Sequence, residues 1–176
     1  MTVAHLDLEP FVRNVPDFPR PGIQFKDITP LLQSAEAMAH TIARLAGPWR
    51  DSGITRVAAI EARGFIFGSC VASELGCGFV PIRKPGKLPW DAIRHEYSLE
   101  YGSDCLEIHS DAAGPGDRVL IIDDVLATGG TASAAQVLLR SLGAQVEGFS
   151  FVIELAFLGG RERLLHEQVY SLLRYD

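Results

Sequence analysis

Val119 to Ile122 is a continuous apolar run, three of its four side chains β-branched, and it leads directly into Asp123-Asp124-Val125-Leu126-Ala127-Thr128-Gly129-Gly130-Thr131. Such a run predicts a central parallel strand covered on both faces. The two carboxylates then fall at the strand's carboxyl end, the edge where open α/β sheets bind ligands. Ala127 to Thr131 follow as a turn of small side chains opening a helix, so several backbone N–H groups can converge on one phosphate with no Cβ in the way. The helix aims its positive dipole end at the same anion. Two acids beside a phosphate would repel it unless they face something else, and adjacent ribose hydroxyls, which donate hydrogen bonds, are the natural partner. The stretch reads as a cradle for a ribose 5-phosphate. A strand ending in acids before a glycine-capped helix would explain the acids or the glycines separately, but neither packing nor turn geometry asks for both together with Thr128 and Thr131. Neither the G-x-x-x-x-G-K phosphate loop nor a G-x-G-x-x-G turn after a strand occurs, so no P-loop lysine holds the phosphate.

The rest of the chain is expected to supply a frame for this edge. Its 176 residues suggest one domain spanning 1–176, with 1–33 as an N-terminal hood or flap and 83–109 as a lid and hairpin. A net charge of −6 disfavours a nucleic-acid surface, which needs clustered positive charge. Cys70, Cys77 and Cys105 form no C-x-x-C pair and are odd in number, so neither a disulfide framework nor a zinc site is indicated. No apolar run reaches membrane-spanning length and the N-terminus carries acids where a signal peptide is apolar, so no membrane partner and a cytoplasmic location are expected.

In chain order, residues 3–13 are expected as a short helix ended by Pro16 to Gly22, and 23–32 as a strand or extended flap. Ser34 can cap a helix from about Ala35 to Gly47, with Met38, Ile42, Leu45 and Ala46 on its buried stripe. Arg56 to Gly64 is a strand with its exit loop, and 65–76 the helix that follows. Glu61 and Arg63 would ordinarily be an exposed ion pair, yet at that strand end an arginine and free N–H groups also suit a pyrophosphate. Phe79 to Ile82 is a short strand running into Arg83-Lys-Pro-Gly-Lys87, readable either as a solvated loop or as a mobile basic lid over a departing pyrophosphate. Period-two alternation from Tyr97, with a turn at 102–104, predicts an antiparallel hairpin in which Glu100 faces solvent or serves catalysis. A helix over 130–142 capped by Gly143, a strand over 146–155, a short charged helix over 159–166 and a strand over 169–175 complete an α/β chain with a mostly parallel, doubly wound sheet. The histidines at 5, 40, 95, 109 and 166 share no metal-ligand spacing.

The pattern from Val119 to Thr131 resembles the phosphoribosyl pyrophosphate signature of the type I phosphoribosyltransferases. Phe18-Pro-Arg-Pro-Gly-Ile-Gln-Phe-Lys-Asp-Ile-Thr, Glu61-Ala-Arg-Gly-Phe-Ile-Phe-Gly, Pro81-Ile-Arg-Lys-Pro-Gly-Lys-Leu-Pro and Tyr97-Ser-Leu-Glu-Tyr-Gly are similar, in order and separation, to the adenine phosphoribosyltransferase family. The resemblance implies the type I fold with a hood and a flexible lid hairpin. It implies transfer of the 5-phosphoribosyl group from phosphoribosyl pyrophosphate to adenine, giving AMP and pyrophosphate, by a homodimer. Magnesium would be carried on the substrate, not held directly by the protein.

Position by position, it assigns Asp123 and Asp124 to the ribose hydroxyls and Ala127, Thr128, Gly129, Gly130 and Thr131 to the 5′-phosphate. Arg63, Arg83, Lys84 and Lys87 go to the pyrophosphate, Arg83 reaching across from the neighbouring subunit, and Glu100 is the general base. The purine would lie between Phe25 and Leu126, selected through backbone groups near Gln24, Phe25 and Lys26. Lys26 stands where arginine is common, Val125 where leucine is common, and Trp90 is a large side chain in the lid. Two competitors remain: a relative acting on another base, which should lack the Ser-Leu-Glu-Tyr-Gly hairpin and this flap, and a non-catalytic sensor, which should carry a nucleic-acid surface and lose the lid or Glu100.

Overall fold

The computed structural model of the chain describes residues 6–98, 103–164 and 167–176. Its first half runs β1 (Arg13–Pro16), β2 (Gln24–Asp27), α1 (Thr29–Gln33), α2 (Ala35–Ala46), β3 (Arg56–Ile60), α3 (Gly64–Leu75) and β4 (Gly78–Ile82). The second half runs β5 (Ala92–Ser98), β6 (Ser103–His109), β7 (Arg118–Leu126), α4 (Gly130–Ser141), β8 (Gln145–Leu155) and β9 (Gln168–Tyr175).

Five of these strands form one parallel sheet in the order β4-β3-β7-β8-β9. From β3 the chain first adds β4 on one side and later β7 on the other, so the direction of winding reverses between β3 and β7. A crevice opens at the carboxyl ends of two such strands. Here Glu61 to Arg63 follow the end of β3, while Asp123 and Asp124 lie not at the end of β7 as expected but inside it, just past Ile122, its last residue paired with β3.

The expected two-sided cover of the central strand is present. Val119 and Ile121 face a core with Ala58, Ile60, Phe149 and Phe151, closed by Leu138 and Leu139 of α4 and by Leu106 and Ile108 of β6. Leu120 and Ile122 face the opposite core with Val57 and Ala59, closed by Ile42 and Leu45 of α2 and by Phe67 and Val71 of α3. Each large apolar side chain so buried contributes roughly 1.5–3 kcal/mol. Among the described residues no helix is long and apolar enough to cross a membrane.

Local sequence signals account for several boundaries. Ser34 Oγ accepts the Ala37 N–H at 3.2 Å and starts α2, whose Ile42, Leu45 and Ala46 are buried and whose Met38 is half-buried. Gly76, with φ 67°, ends α3, and Gly143, with φ 87°, follows α4.

Three further expectations require correction. Of the helix expected over 3–13, the described part, 6–13, holds only a single 3-10 turn at Glu9–Phe11, and Arg13 enters β1, which pairs antiparallel with β2. The flap ends at Asp27, and Pro30 opens the short helix α1 instead of extending a strand. The hairpin begins earlier than expected, at Ala92, and Ser103 and Asp104 belong to β6 and not to the turn. Between β8 and β9 the charged segment is a 3-10 helix over Gly160–Leu164.

Candidate active site

The acid pair anchors the site. Asp123 Oδ1 accepts the Asp124 N–H at 2.9 Å, and Asp124, only 4% exposed, pairs with Arg63 Nε at 2.7 Å. Burial pushes both carboxyls above the ordinary range. The shift is greater at Asp123, where the neighbouring Asp124 adds to it, while the Arg63 guanidinium opposes it at both. Gly64 lies hard against this pair: a Cβ there would come within 2.8 Å of Asp123 Oδ1. The first residue of α3 can approach the acid only as glycine.

The small-residue turn forms a separate cavity of about 70 Å³ lined by Asp123 and residues 125–132. Gly129, with φ 76°, is the residue before α4, and its left-handed backbone turns the chain sharply so that the helix start faces the cavity. Thr131 Oγ1 lies 3.2 Å from Tyr97 OH, and that phenol also donates to Asp104 Oδ2 at 3.1 Å. The hairpin is thereby fastened to the turn. A wider cleft of about 460 Å³ adjoins it, lined by residues 60–63, Lys84, Asp123, Asp124, Val125, Ala127 and Thr131.

Arg63 and Lys84 line this cleft, whereas Arg83 and Lys87 are drawn onto Glu61 of the same chain. Arg83 Nε reaches Glu61 at 3.2 Å and the Lys84 N–H donates to it at 3.1 Å. Burial alone would raise the Glu61 pKa, but the hydrogen bonds from Lys87, Arg83 and Lys84 override it and hold the carboxyl at about 2. Arg83 also exchanges backbone hydrogen bonds with Glu107, and Gly86 N–H donates to Glu107 Oε2 at 2.9 Å. Lys84 pairs with Asp104. The basic loop is thus strapped to Glu61 on one side and to β6 on the other.

A third cavity, of about 120 Å³, is lined by Ile23, Gln24, Phe25, Lys26, Arg63, Val125 and Leu155. Phe25 packs edge-on to Phe18 at 5.1 Å, and the Arg63 guanidinium lies 5.3 Å from its ring centroid. Lys26 lines this cavity with its Nζ engaged elsewhere, 3.5 Å from the Tyr175 ring centroid and 2.6 Å from Asn14 Oδ1. Leu126 does not join it. Successive strand residues point to opposite faces, so Val125 faces Phe25's cavity while Leu126, 1% exposed, enters the core under α4. Glu100 lies outside the described residues.

Sequence reasoning passed over Glu61 as the clasp of the basic loop, Tyr97 as the link to Thr131, and Gly160, whose backbone abuts Ala127 and Gly129. Only the fold brings these together. A phenol at Tyr97 and a Gly-Gly at 159–160 are the faint signals the sequence holds.

Residues 28–168 match the family described as Phosphoribosyl transferase domain. The adenine phosphoribosyltransferase of Methylococcus capsulatus is 57% identical over 164 residues, covering 93% of this chain and 96% of that protein. The crystal structure of the adenine phosphoribosyltransferase from Thermoanaerobacter pseudethanolicus superposes with a TM-score of 0.93 at 49% identity, covering 96% of this chain and 98% of that one. The Saccharomyces cerevisiae enzyme, solved with D-2,5-dideoxy-2,5-imino-altritol 1,6-bisphosphate and adenine, superposes at 0.89 with 39% identity, covering 94% and 96% of the two chains. An acid pair, a small-residue anion turn and an apolar cavity at the switch point of a parallel sheet, matched over nearly the full length at such identity, make this chain a member of the adenine phosphoribosyltransferase family.

Proposed function

We infer that the chain transfers the 5-phosphoribosyl group from phosphoribosyl pyrophosphate to adenine, releasing AMP and pyrophosphate, as a step of purine salvage. The observation that carries this reading is the position of Val125, which lines all three cavities. One strand end thereby joins an anion turn, an acid-lined cleft and an apolar slot in the order phosphate, sugar and base.

In this reading the turn Ala127 to Thr131 holds the 5′-phosphate through backbone N–H groups and threonine hydroxyls. Asp123 and Asp124 accept the ribose hydroxyls, which replaces solvent lost on burial and fixes the anomeric carbon beneath the base slot. Phe25 and Val125 flank the purine, and backbone groups from Gln24 to Lys26 meet its edge. Arg63 and Lys84 face the pyrophosphate in the wide cleft, Lys87 moves onto it from Glu61 when it binds, and Arg83 reaches the pyrophosphate of the neighbouring subunit. The bond from the anomeric carbon to pyrophosphate breaks, a bond to a ring nitrogen of adenine forms, and Glu100 takes the proton released from the imidazole edge.

Magnesium enters on the diphosphate of the sugar substrate and, when bound, neutralises charge on that leaving group. It would stay with the diphosphate in the wide cleft, Asp123 and Asp124 being committed to the ribose hydroxyls. The enzyme is proposed to work in the cytoplasm as a homodimer. A light-scattering mass equal to one chain, about 19.1 kDa, under assay conditions would overturn the dimer.

Glu100→Gln tests the chemical role most narrowly. Turnover should fall by roughly 10²–10⁴-fold while phosphoribosyl pyrophosphate affinity is retained. Equal loss of both would remove Glu100 from the role of base.

A further inference from the structure

The turn over Gly160–Leu164 abuts the anion turn through its backbone. A Cβ built on Gly160 would collide with the Ala127 carbonyl oxygen and lie 2.9 Å from Gly129 N, and one built on Gly129 would collide with the Gly160 carbonyl oxygen. Gly129 also needs its left-handed backbone, but Gly160 is not among the residues with positive φ. Glycine at 160 is therefore set by space alone. From the same turn Arg163 brings Nη1 to 3.4 Å from the position a Gly130 Cβ would take.

The turn is also firmly anchored. Arg161 Nε donates to Glu154 Oε1 at 2.9 Å, its Nη2 pairs with Glu154 Oε2, and its Nη1 donates to the Val169 carbonyl at 2.8 Å. Ser171 Oγ donates to Glu154 Oε2 at 2.7 Å. Glu154 is 3% exposed and Leu164 is 1% exposed. A bidentate guanidinium–carboxylate pair with a further donor on a backbone carbonyl is geometrically specific, which a single ammonium would not be. It fixes the turn to β8 and β9, and the turn fixes Gly160.

We propose that Gly160 and Arg161 are positioning residues for the 5′-phosphate turn: Gly160 sets the backbone of Ala127 to Gly129 by direct contact, and Arg161 holds Gly160 against it through Glu154. An anion bound by backbone N–H groups depends on the placement of that backbone to a fraction of an ångström. A methyl group at 160 has nowhere to go except into Ala127, so it shifts the cradle while leaving every phosphate-contacting residue chemically unchanged. The inference rests on the assignment of Ala127 to Thr131 to the 5′-phosphate.

The experiment measures ribose 5-phosphate affinity by calorimetry, together with KM values for both substrates, in Gly160→Ala, Arg161→Ala, Arg161→Lys and Thr131→Val. Arg50→Ala, which breaks an exposed pair with Glu74 outside the clamp and the cavities, serves as control. Gly160→Ala and Arg161→Ala should weaken ribose 5-phosphate by roughly tenfold or more, raise KM for phosphoribosyl pyrophosphate in parallel, and leave KM for adenine near its original value. Arg161→Lys should recover part of the loss. Should Arg161→Ala fail to fold, Gly160→Ala, with its clamp intact, still decides the matter. If Thr131→Val weakens ribose 5-phosphate but Gly160→Ala lowers only the thermal midpoint, the positioning role is wrong and the phosphate assignment stands. Unchanged affinity in Thr131→Val would reject the assignment itself, and the proposal with it.

Discussion

At Asp123 burial and a neighbouring acid both oppose the charge of a carboxyl fixed by the fold. Its carboxyl sits beside Asp124 beneath the cleft, and burial followed by the Asp124 charge raises its pKa well above that of a free carboxylate. A group whose folded pKa is raised contributes stability that is fully present below its unfolded value, near 3.8, and is lost as pH rises through the folded value. Asp123 beside Asp124 therefore costs the free enzyme stability as pH rises, and in the proposed reading the ribose hydroxyls offset that cost. Asp123→Asn keeps an acceptor for the Asp124 N–H and removes one charge. It should raise the thermal midpoint of the free enzyme at neutral pH by about 2–4 °C for each ~1 kcal/mol relieved, with the gain shrinking toward about pH 4, while weakening phosphoribosyl pyrophosphate. Melting curves across that range decide it, and a variant less stable than the parent at neutral pH would contradict the reading. The acids, glycines and threonines of this site were legible because they are contiguous in the chain. That Val125 and not Leu126 lines the Phe25 cavity was not, since one residue of strand parity decides which of two neighbours faces that cavity and which enters the core.

The hairpin of β5 and β6 joins the basic loop to the anion turn. Lys84 pairs with Asp104, Asp104 accepts from Tyr97, and Tyr97 reaches Thr131. Burial pushes the Tyr97 phenol up, so its O–H remains available as a donor at neutral pH. Tyr97→Phe should keep the ring's packing and lose the link. The expected result is a rise in KM for phosphoribosyl pyrophosphate of about fivefold, equivalent to ~1 kcal/mol for one hydrogen bond. An unchanged KM would mean that the hairpin merely packs beside the turn. Helices with local signals, such as α2 behind Ser34 and α4 behind Gly129, could be read in advance. The first strand could not, because residues 13–16 become β1 only by pairing with β2 across the Pro-Gly turn, and nothing within 3–13 encodes that partner. The clasp of Arg83 and Lys87 on Glu61 was equally hidden, since it joins segments 22 and 26 residues apart.

One sheet shared by two cores brings these pieces to a single edge. The order β4-β3-β7-β8-β9 puts the Glu61–Arg63 loop next to the acid pair, and α2, α3 and α4 cover the two faces without obstructing the carboxyl ends. The family resemblance was legible in four separated segments and holds over nearly the full length of the chain. In the proposed reading base choice is the least local property, because the Phe25 cavity is assembled from β2, Val125 and Leu155 of separate strands. The most direct test is pyrophosphate release with magnesium and phosphoribosyl pyrophosphate, with adenine, hypoxanthine, guanine, xanthine and orotate supplied in parallel. Turnover strongly favouring adenine is the expected result. Efficient turnover of a different base, or none with any of the five, would contradict it.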